Sequence, residues 1–265
     1  MAPKAKPKAR SKSKTVRARR PARAAVTVKS AREAKSGATE RDLLARLKAG
    51  AVICAEGYVF ELERRGYLQA GAFVPEVLFE HPEVVERLHM DFVHAGSDVT
   101  EALTYYVHRE KLRVIGREKD LAPMNRAALR IAKSVARRTG TLFAGDLCNT
   151  NIYDPTEPRS IKEAERIFDE QVGWAVEAGV DYFVAETFSW VDEALLALAA
   201  IKRHSKAPTV VTLAIHREPL TRDGLTPAEA CRKLEGAGAD VEVVERLVIA
   251  EGHKGYRLGV GARIV

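Results

Sequence analysis

The chain has 265 residues, 46% of them apolar and 30% charged, which fits a globular protein of the size of one α/β domain, commonly about 250 residues. No run approaches the roughly 20 apolar residues of a membrane span, and Cys54, Cys148 and Cys231 form no CxxC pair, which excludes a disulfide framework and favours a reducing, cytoplasmic setting. The net charge of +7 is concentrated in residues 1–38, which hold 13 Lys/Arg and the single acid Glu33, so that the rest of the chain is mildly acidic at −5.

Residues 1–38 are almost entirely Lys, Arg, Ala, Pro and Ser, without an aromatic side chain. Such a segment buries too little apolar surface to offset the entropy of ordering, so a disordered tail is expected. It lacks the apolar core of a secretory signal. Three readings stay open: a solvated tail that attracts nucleic acid non-specifically, a start codon placed too far upstream, or a targeting segment.

Beyond the tail, Leu43, Leu44 and Leu47 predict a short amphipathic helix, and AVICAEG from Ala51 predicts a first strand ended by Gly57. ELERRG reads as a short charged helix closed by Gly66. Pro82 and the spacing of Val84, Leu88, Phe92 and Val93 predict a helix, with a second strand from Ser97. Leu121, Met124, Ala128, Ile131 and Val135 mark the next helix, and TLFAGDL from Thr141 the third strand. Ile161, Ala164, Phe168, Val172 and Ala175 repeat the helical spacing before the strand DYFVAE. VDEALLALAAIKRH is a helix, PTVVTLAIH from Pro208 the fifth strand, and TPAEACRKLEGAG a helix with Pro in its first turn and Cys231 as a small core residue. DVEVVERL is a doubtful sixth strand, and nothing in GHKGYRLGVGARIV reads as a barrel strand.

Ala-Gly-x-Asp occurs three times, at Ala95, Ala178 and Ala237, each time ahead of an apolar stretch. A Gly free to take positive φ ends a helix, and the residues after Asp suit a buried parallel strand. The repeat predicts successive βα units and a (β/α)8 TIM-barrel type of α/β fold, with five to six of the eight units present. An open barrel leaves edges and apolar strand faces uncovered, so either another chain closes it or the fold is compromised.

Barrel chemistry sits at the C-terminal strand ends. Those ends offer Cys54 and Glu56, then Thr104, Tyr105 and Tyr106, then Asp146, Cys148 and Asn149, then Glu186 and Thr187, and finally His216. Each has a plainer reading: an ion pair for Glu186, packing for the tyrosines, a solvent-facing loop for His216. With Cys231 inside a helix, two thiols are left for the mouth, one fewer than a three-thiolate zinc site uses.

The ordered segments VICAEGYVFELERRGYLQAG, HPEVVERLHMDFVHAGSDV, TEALTYYVHREKL, AETF, VTLAIH and TRDGLTPAEACRKLEGAGADV together resemble the homocysteine S-methyltransferase family, most nearly its betaine-homocysteine branch. The resemblance runs from about Ala51 to Val241. It implies a (β/α)8 barrel that binds the thiol amino acid homocysteine at its C-terminal mouth and methylates it to methionine. Glu56 and Gly57 then fall on a homocysteine-contacting Asp-Gly-Gly turn, with Ala55 in place of its Asp. Glu186 falls on the Glu that holds the substrate amino group, and Tyr106 on an aromatic that shapes the methyl-donor side.

The family binds zinc through a Cys in a Gly-x-Asn-Cys segment and a later Cys pair. Here that segment is DVEVVERL, with Arg246 near the expected Cys, so zinc is predicted absent, no catalytic or metal-ligating residue is assigned, and the chain is expected to be inactive or impaired. The likeness stops after Val241, which suggests either a frameshifted, prematurely stopped product or a short paralogue. The expected organisation is a tail over 1–38, a partial homocysteine-binding barrel over 39–241 and a divergent segment over 242–265, cytoplasmic, open to oligomerisation and off the membrane. Two alternatives are a non-catalytic fragment tethered to nucleic acid by its tail, and a metal-independent enzyme using Glu186 with His216.

Overall fold

The computed structural model describes residues 41–68, 74–215, 220–249 and 256–264; the predicted tail and His216 lie outside them. Among the described residues four helices lead in: α1 (Leu43–Ala49), α2 (Tyr58–Arg64), α3 (Val77–Glu80) and α4 (Pro82–Ala95). They are followed by β1 (Val99–Glu101), α5 (Arg109–Val114), a 3-10 turn over Glu118–Asp120 and α6 (Leu121–Thr139). Then strand and helix alternate: β2 (Leu142–Cys148), α7 (Pro158–Ala178), β3 (Tyr182–Phe188), α8 (Val191–His204), β4 (Thr209–Ile215), α9 (Pro227–Gly236) and β5 (Val241–Ile249), with β6 (Tyr256–Ile264) last. The sheet order is β1-β2-β3-β4-β5-β6, parallel through β5 and antiparallel between β5 and β6. Among the described residues no helix is long and apolar enough to cross a membrane.

The three Ala-Gly-x-Asp copies build the same joint. Gly96, Gly179 and Gly238 take φ of 114°, 73° and 96°, a region costly for residues with a Cβ. Each following Asp then grips the preceding unit with both backbone and side chain. The Asp98, Asp181 and Asp240 N–H groups donate to the carbonyls of Ile53, Phe143 and Thr209 at 2.7, 2.8 and 3.0 Å. In return the N–H groups of Ile53, Phe143 and Thr209 donate to the three Asp Oδ2 atoms at 3.0, 2.8 and 2.9 Å.

Among the strands, one expectation is corrected and one element is added. AVICAEG is no strand: residues 51–57 run without regular structure. They are fastened to the start of β1 by the Asp98 grip and by Ser97, whose Oγ accepts from Ala55 N–H at 3.1 Å and donates to the Ile53 carbonyl at 3.2 Å, so side chains stand in for a ladder. In the C-terminal segment a strand does form, β6, but antiparallel to β5, with Tyr256 opposite Ile249 and Ile264 opposite Val241. In this strand Gly259 and Gly261 alternate with Leu258 and Val260.

The faces of the sheet are covered differently. Phe143, Leu147, Phe183, Phe188, Val211 and Leu213 point to a helical layer contributed by α6 to α9, including Phe168 and Val172. This matches the predicted helical stripes. Gly145 lets α7 approach, since a Cβ there would lie 3.1 Å from both Ala175 Cβ and Val180 Cγ1. On the other face Val99, Leu142, Ala144, Tyr182 and Val184 meet Leu43 and Leu47 of α1. A second apolar core joins α2 to α6 through Leu62, Leu78, Leu88, Leu112 and Met124.

Helix α9 starts with a reciprocal cap: Glu229 N–H donates to Thr226 Oγ1 at 3.3 Å, and Thr226 N–H to Glu229 Oε2 at 2.9 Å. Thr226→Ala should lower stability in urea by about 1 kcal/mol, the usual worth of such a cap. Cys231 in this helix is half-buried rather than a core residue.

His89 in α4 is buried against the Tyr58 ring, 5.0 Å between centroids, and neither of its ring nitrogens makes a hydrogen bond. Burial therefore depresses its pKa, to about 3. A neutral folded His against an ordinary unfolded one contributes stability that is complete above the unfolded value of about 6.5 and lost as pH falls toward the folded value. His89→Phe should remove this component, flattening the loss of stability between pH 6.5 and 4 by up to about 1.4 kcal/mol per pH unit. Urea titrations of both proteins across that range measure it, and parallel curves would contradict the assignment.

Candidate functional site

At the C-terminal ends of β1, β2 and β3 lies a cavity of about 530 Å³. Its walls include Glu56, Gly57 and Tyr58 at the entry to α2, Glu101 at the end of β1, Tyr105 and Tyr106 just beyond, Asp146 on β2, and Glu186 with Thr187 on β3. A larger groove of about 600 Å³ runs along α6 and α7 and is lined by Arg126, Arg130, Lys133 and Arg137. It is distant from the strand ends and is a solvated helix face.

Strand alternation explains which side chains enter the cavity. Leu142, Ala144, Asp146 and Cys148 share one face of β2, and Tyr182, Val184 and Glu186 the same face of β3. The register pairs Cys148 with Glu186 and Glu101 with Ala144, so the carboxylates converge where the apolar floor ends. Ligand oxygens of Glu101, Asp146 and Glu186 all lie within 4.8 Å of one another.

Their surroundings are unusually dry for charged groups. Glu101 and Asp146 are 5% and 4% exposed, and Asp146 Oδ1 makes no hydrogen bond. Burial first, then repulsion from neighbouring carboxylates, lifts the Glu101 carboxyl to about 8 and the Asp146 carboxyl well above its ordinary value. Cys54 Sγ donates to Glu101 Oε2 at 3.4 Å, and Cys148 Sγ donates to the Tyr105 carbonyl and to the Asn149 carbonyl at 3.3 Å. Burial and the adjacent acids push both thiols up. Both are therefore held as thiols, not thiolates.

The polar rim is ordered by aromatic contacts. The Tyr105 and Tyr106 rings meet edge to face at 4.5 Å, and Lys111 Nζ sits 4.0 Å above Tyr106. Thr187 takes φ of 62° where the β3–β4 register breaks, and its N–H donates to Thr212 Oγ1 at 2.8 Å. A β-branched residue in the left-handed region is costly, and such strain concentrates where a backbone is held for function.

The four residues singled out from the sequence, Glu56, Gly57, Tyr106 and Glu186, all border this one cavity. Glu56 occupies its exposed rim, while Glu186 and Tyr106 are half-buried. Glu101 and Tyr58 escaped the sequence reading. β1 is only three residues long, so its chemical end is at Glu101 and not at Thr104, whose hydroxyl instead donates to the Asp146 carbonyl at 2.8 Å. An acid inside the apolar run DVTEAL was the available signal.

Comparison with known proteins places these features. A family model described as homocysteine S-methyltransferase matches residues 37–248. Betaine–homocysteine S-methyltransferase 1 of Xenopus tropicalis is 37% identical over 207 residues, covering 76% of this chain and 50% of that protein. The Sus scrofa protein of the same name is 35% identical, covering 76% of this chain and 73% of that one. The S-methylmethionine–homocysteine S-methyltransferase BHMT2 of Pongo abelii is 34% identical, covering 76% and 53%. The chain thus spans about half the length of most of these curated relatives. Among solved structures, the metallated homocysteine methyltransferase MmuM of Escherichia coli superposes with a TM-score of 0.58 at 17% identity, over 76% of this chain and 85% of that one. That likeness concerns the fold.

Proposed function

Because the chain belongs to the homocysteine S-methyltransferase family, we propose that its carboxylate-lined cavity receives homocysteine, with Glu186 accepting hydrogen bonds from the substrate ammonium. The observation that carries this reading is the meeting of Glu186, Glu56, Gly57 and Tyr106 around one cavity at the C-terminal strand ends. An ammonium among carboxylates is bound by charge-assisted hydrogen bonds, strongest where water is scarce. Glu56 at the rim supplies a second acceptor in place of the acid absent at Ala55. Gly57, with φ of 81°, turns the chain into α2 beside the ligand. Tyr106, stacked under Lys111, bounds the side from which a methyl donor approaches. Calorimetric titration of the full chain with homocysteine tests the reading, and absence of saturable binding would overturn it.

Methylation needs the thiol as a thiolate, so that its sulfur takes the methyl while the proton leaves. Zinc bound by three thiolates supplies this activation when present. The described residues do not fit that ion: Cys54 and Cys148 are protonated donors beside carboxylates, and Cys231 sits in α9, away from the strand ends. We therefore take the chain to bind homocysteine and to transfer methyl groups poorly or not at all. Protein purified without added metal should carry well under one zinc per chain, unchanged by Cys54→Ser or Cys148→Ser. Stoichiometric zinc by elemental analysis, lost in either variant, would reverse this conclusion.

The same proposal takes residues 39–241 as part of a (β/α)8 barrel and 242–265 as a divergent segment. On charge alone it assigns salt-sensitive attraction to nucleic acid to residues 1–38. Self-association and a cytoplasmic setting belong to it on the same footing, as readings of composition and of an open sheet.

A further inference from the structure

We infer that Glu101, Asp146 and Glu186 form a site for one hard divalent cation of the Mg²⁺/Mn²⁺ class at the floor of the cavity. The inference shares Glu186 with the homocysteine reading, so that ammonium and cation compete for that side chain, and it is distinct from the family's thiolate zinc. Two observations support it. The carboxylate oxygens fall within 4.8 Å of one another. Three oxygens spaced evenly around one cation at ligand distances of about 2.1 to 2.4 Å stand about 3.6 to 4.2 Å apart, so one ion binds all three once the side chains draw together by up to about 1 Å. Asp146, 4% exposed, aims an oxygen that makes no hydrogen bond into this space, and an orphaned buried acceptor calls for a partner the protein itself does not supply.

The donor chemistry selects the ion. Three carboxylates are hard oxygen ligands that suit Mg²⁺, Mn²⁺ or Ca²⁺, whereas Cys54, the adjacent soft donor, is engaged as a hydrogen-bond donor to Glu101. The cavity opens beyond the three groups, leaving room for the waters that Mg²⁺ and Mn²⁺ keep. No Lys or Arg is among the described residues that line it.

The test uses the full chain, stripped with chelator and titrated with Mn²⁺, with bound ion followed by electron paramagnetic resonance. A single saturable site is expected, weakened about tenfold or more by Asp146→Asn and by Glu101→Gln, since affinity follows the count of charged ligands. Cys54→Ser should leave Mn²⁺ affinity within about twofold, because a thiol that ligated the ion would matter more. Homocysteine binding, measured in chelator, should still be weakened by Glu186→Ala, which separates the failure of this inference from the failure of the homocysteine reading. Terbium luminescence sensitised by the lining tyrosines, and quenched on Mn²⁺ displacement, reads the wild-type site without any substitution. No saturable Mn²⁺ binding would overturn the inference. So would binding indifferent to Asp146→Asn and Glu101→Gln in folded variants, or terbium that Mn²⁺ does not displace.

Discussion

Glu186→Ala is expected to weaken homocysteine binding by about 10- to 150-fold, the equivalent of the 1.5 to 3 kcal/mol typical of a hydrogen bond to a charged group. The side chain stands at the end of β3, half-buried among other acids, so water competes weakly for its oxygens and the ammonium loses a partner that solvent replaces poorly. Glu186→Gln, which keeps an acceptor and drops the charge, should fall between. The sharper measurement pairs the variant with 4-mercaptobutanoate, homocysteine without its amino group. This ligand should bind the wild type more weakly and should be insensitive to Glu186→Ala, giving a coupling energy close to the full loss. If homocysteine affinity is unchanged in the variant, Glu186 does not hold the ammonium.

Phe168→Ala should cost about 3 to 5 kcal/mol of stability, the range for deleting a fully buried aromatic. Phe168 on α7 is completely buried, with its ring 5.9 Å from that of Phe188 on β3, so it joins the helical layer to the strand that carries Glu186. Its neighbours come from α6, α8 and the sheet and cannot all collapse into the void. A drop of that size displaces the urea midpoint without altering the dependence on denaturant. Val114→Ala, at a side chain 64% exposed, should stay within about 0.5 kcal/mol of wild type. A Phe168→Ala loss no larger than that of Val114→Ala would show that the layer is not packed as described.

Legibility followed length and period. Helices α4, α6 and α7 were readable because apolar stripes such as Leu121, Met124, Ala128, Ile131 and Val135 recur over many turns, and all five are buried. The strands β2, β3 and β4 were readable as compact apolar runs between those helices. AVICAEG had the composition of a strand and is held at the place of one. A single Asp98 grip and a Ser97 side chain do not make a ladder, and composition alone cannot distinguish the two. Helices α3 and α5 are too short to show a period. At the site, acids after apolar runs drew attention to Glu186 and Asp146, but their meeting with Glu101 depends on register and on the brevity of β1, which no local pattern encodes.

The grips at Asp98, Asp181 and Asp240 lie at the opposite end of the sheet from the cavity, yet they set the phase of everything that reaches it. Side chains along a strand alternate between faces, so a slip of one residue exchanges every inward group for an outward one. A slip of β3 would bring Ala185 or Thr187 to the place of Glu186 and turn the acid into the apolar layer around Phe168 and Phe188. By fastening Asp181 to Phe143 through both backbone and side chain, the chain fixes an odd-or-even choice at the foot of the strand, and the acidity of the cavity is the remote outcome of that choice.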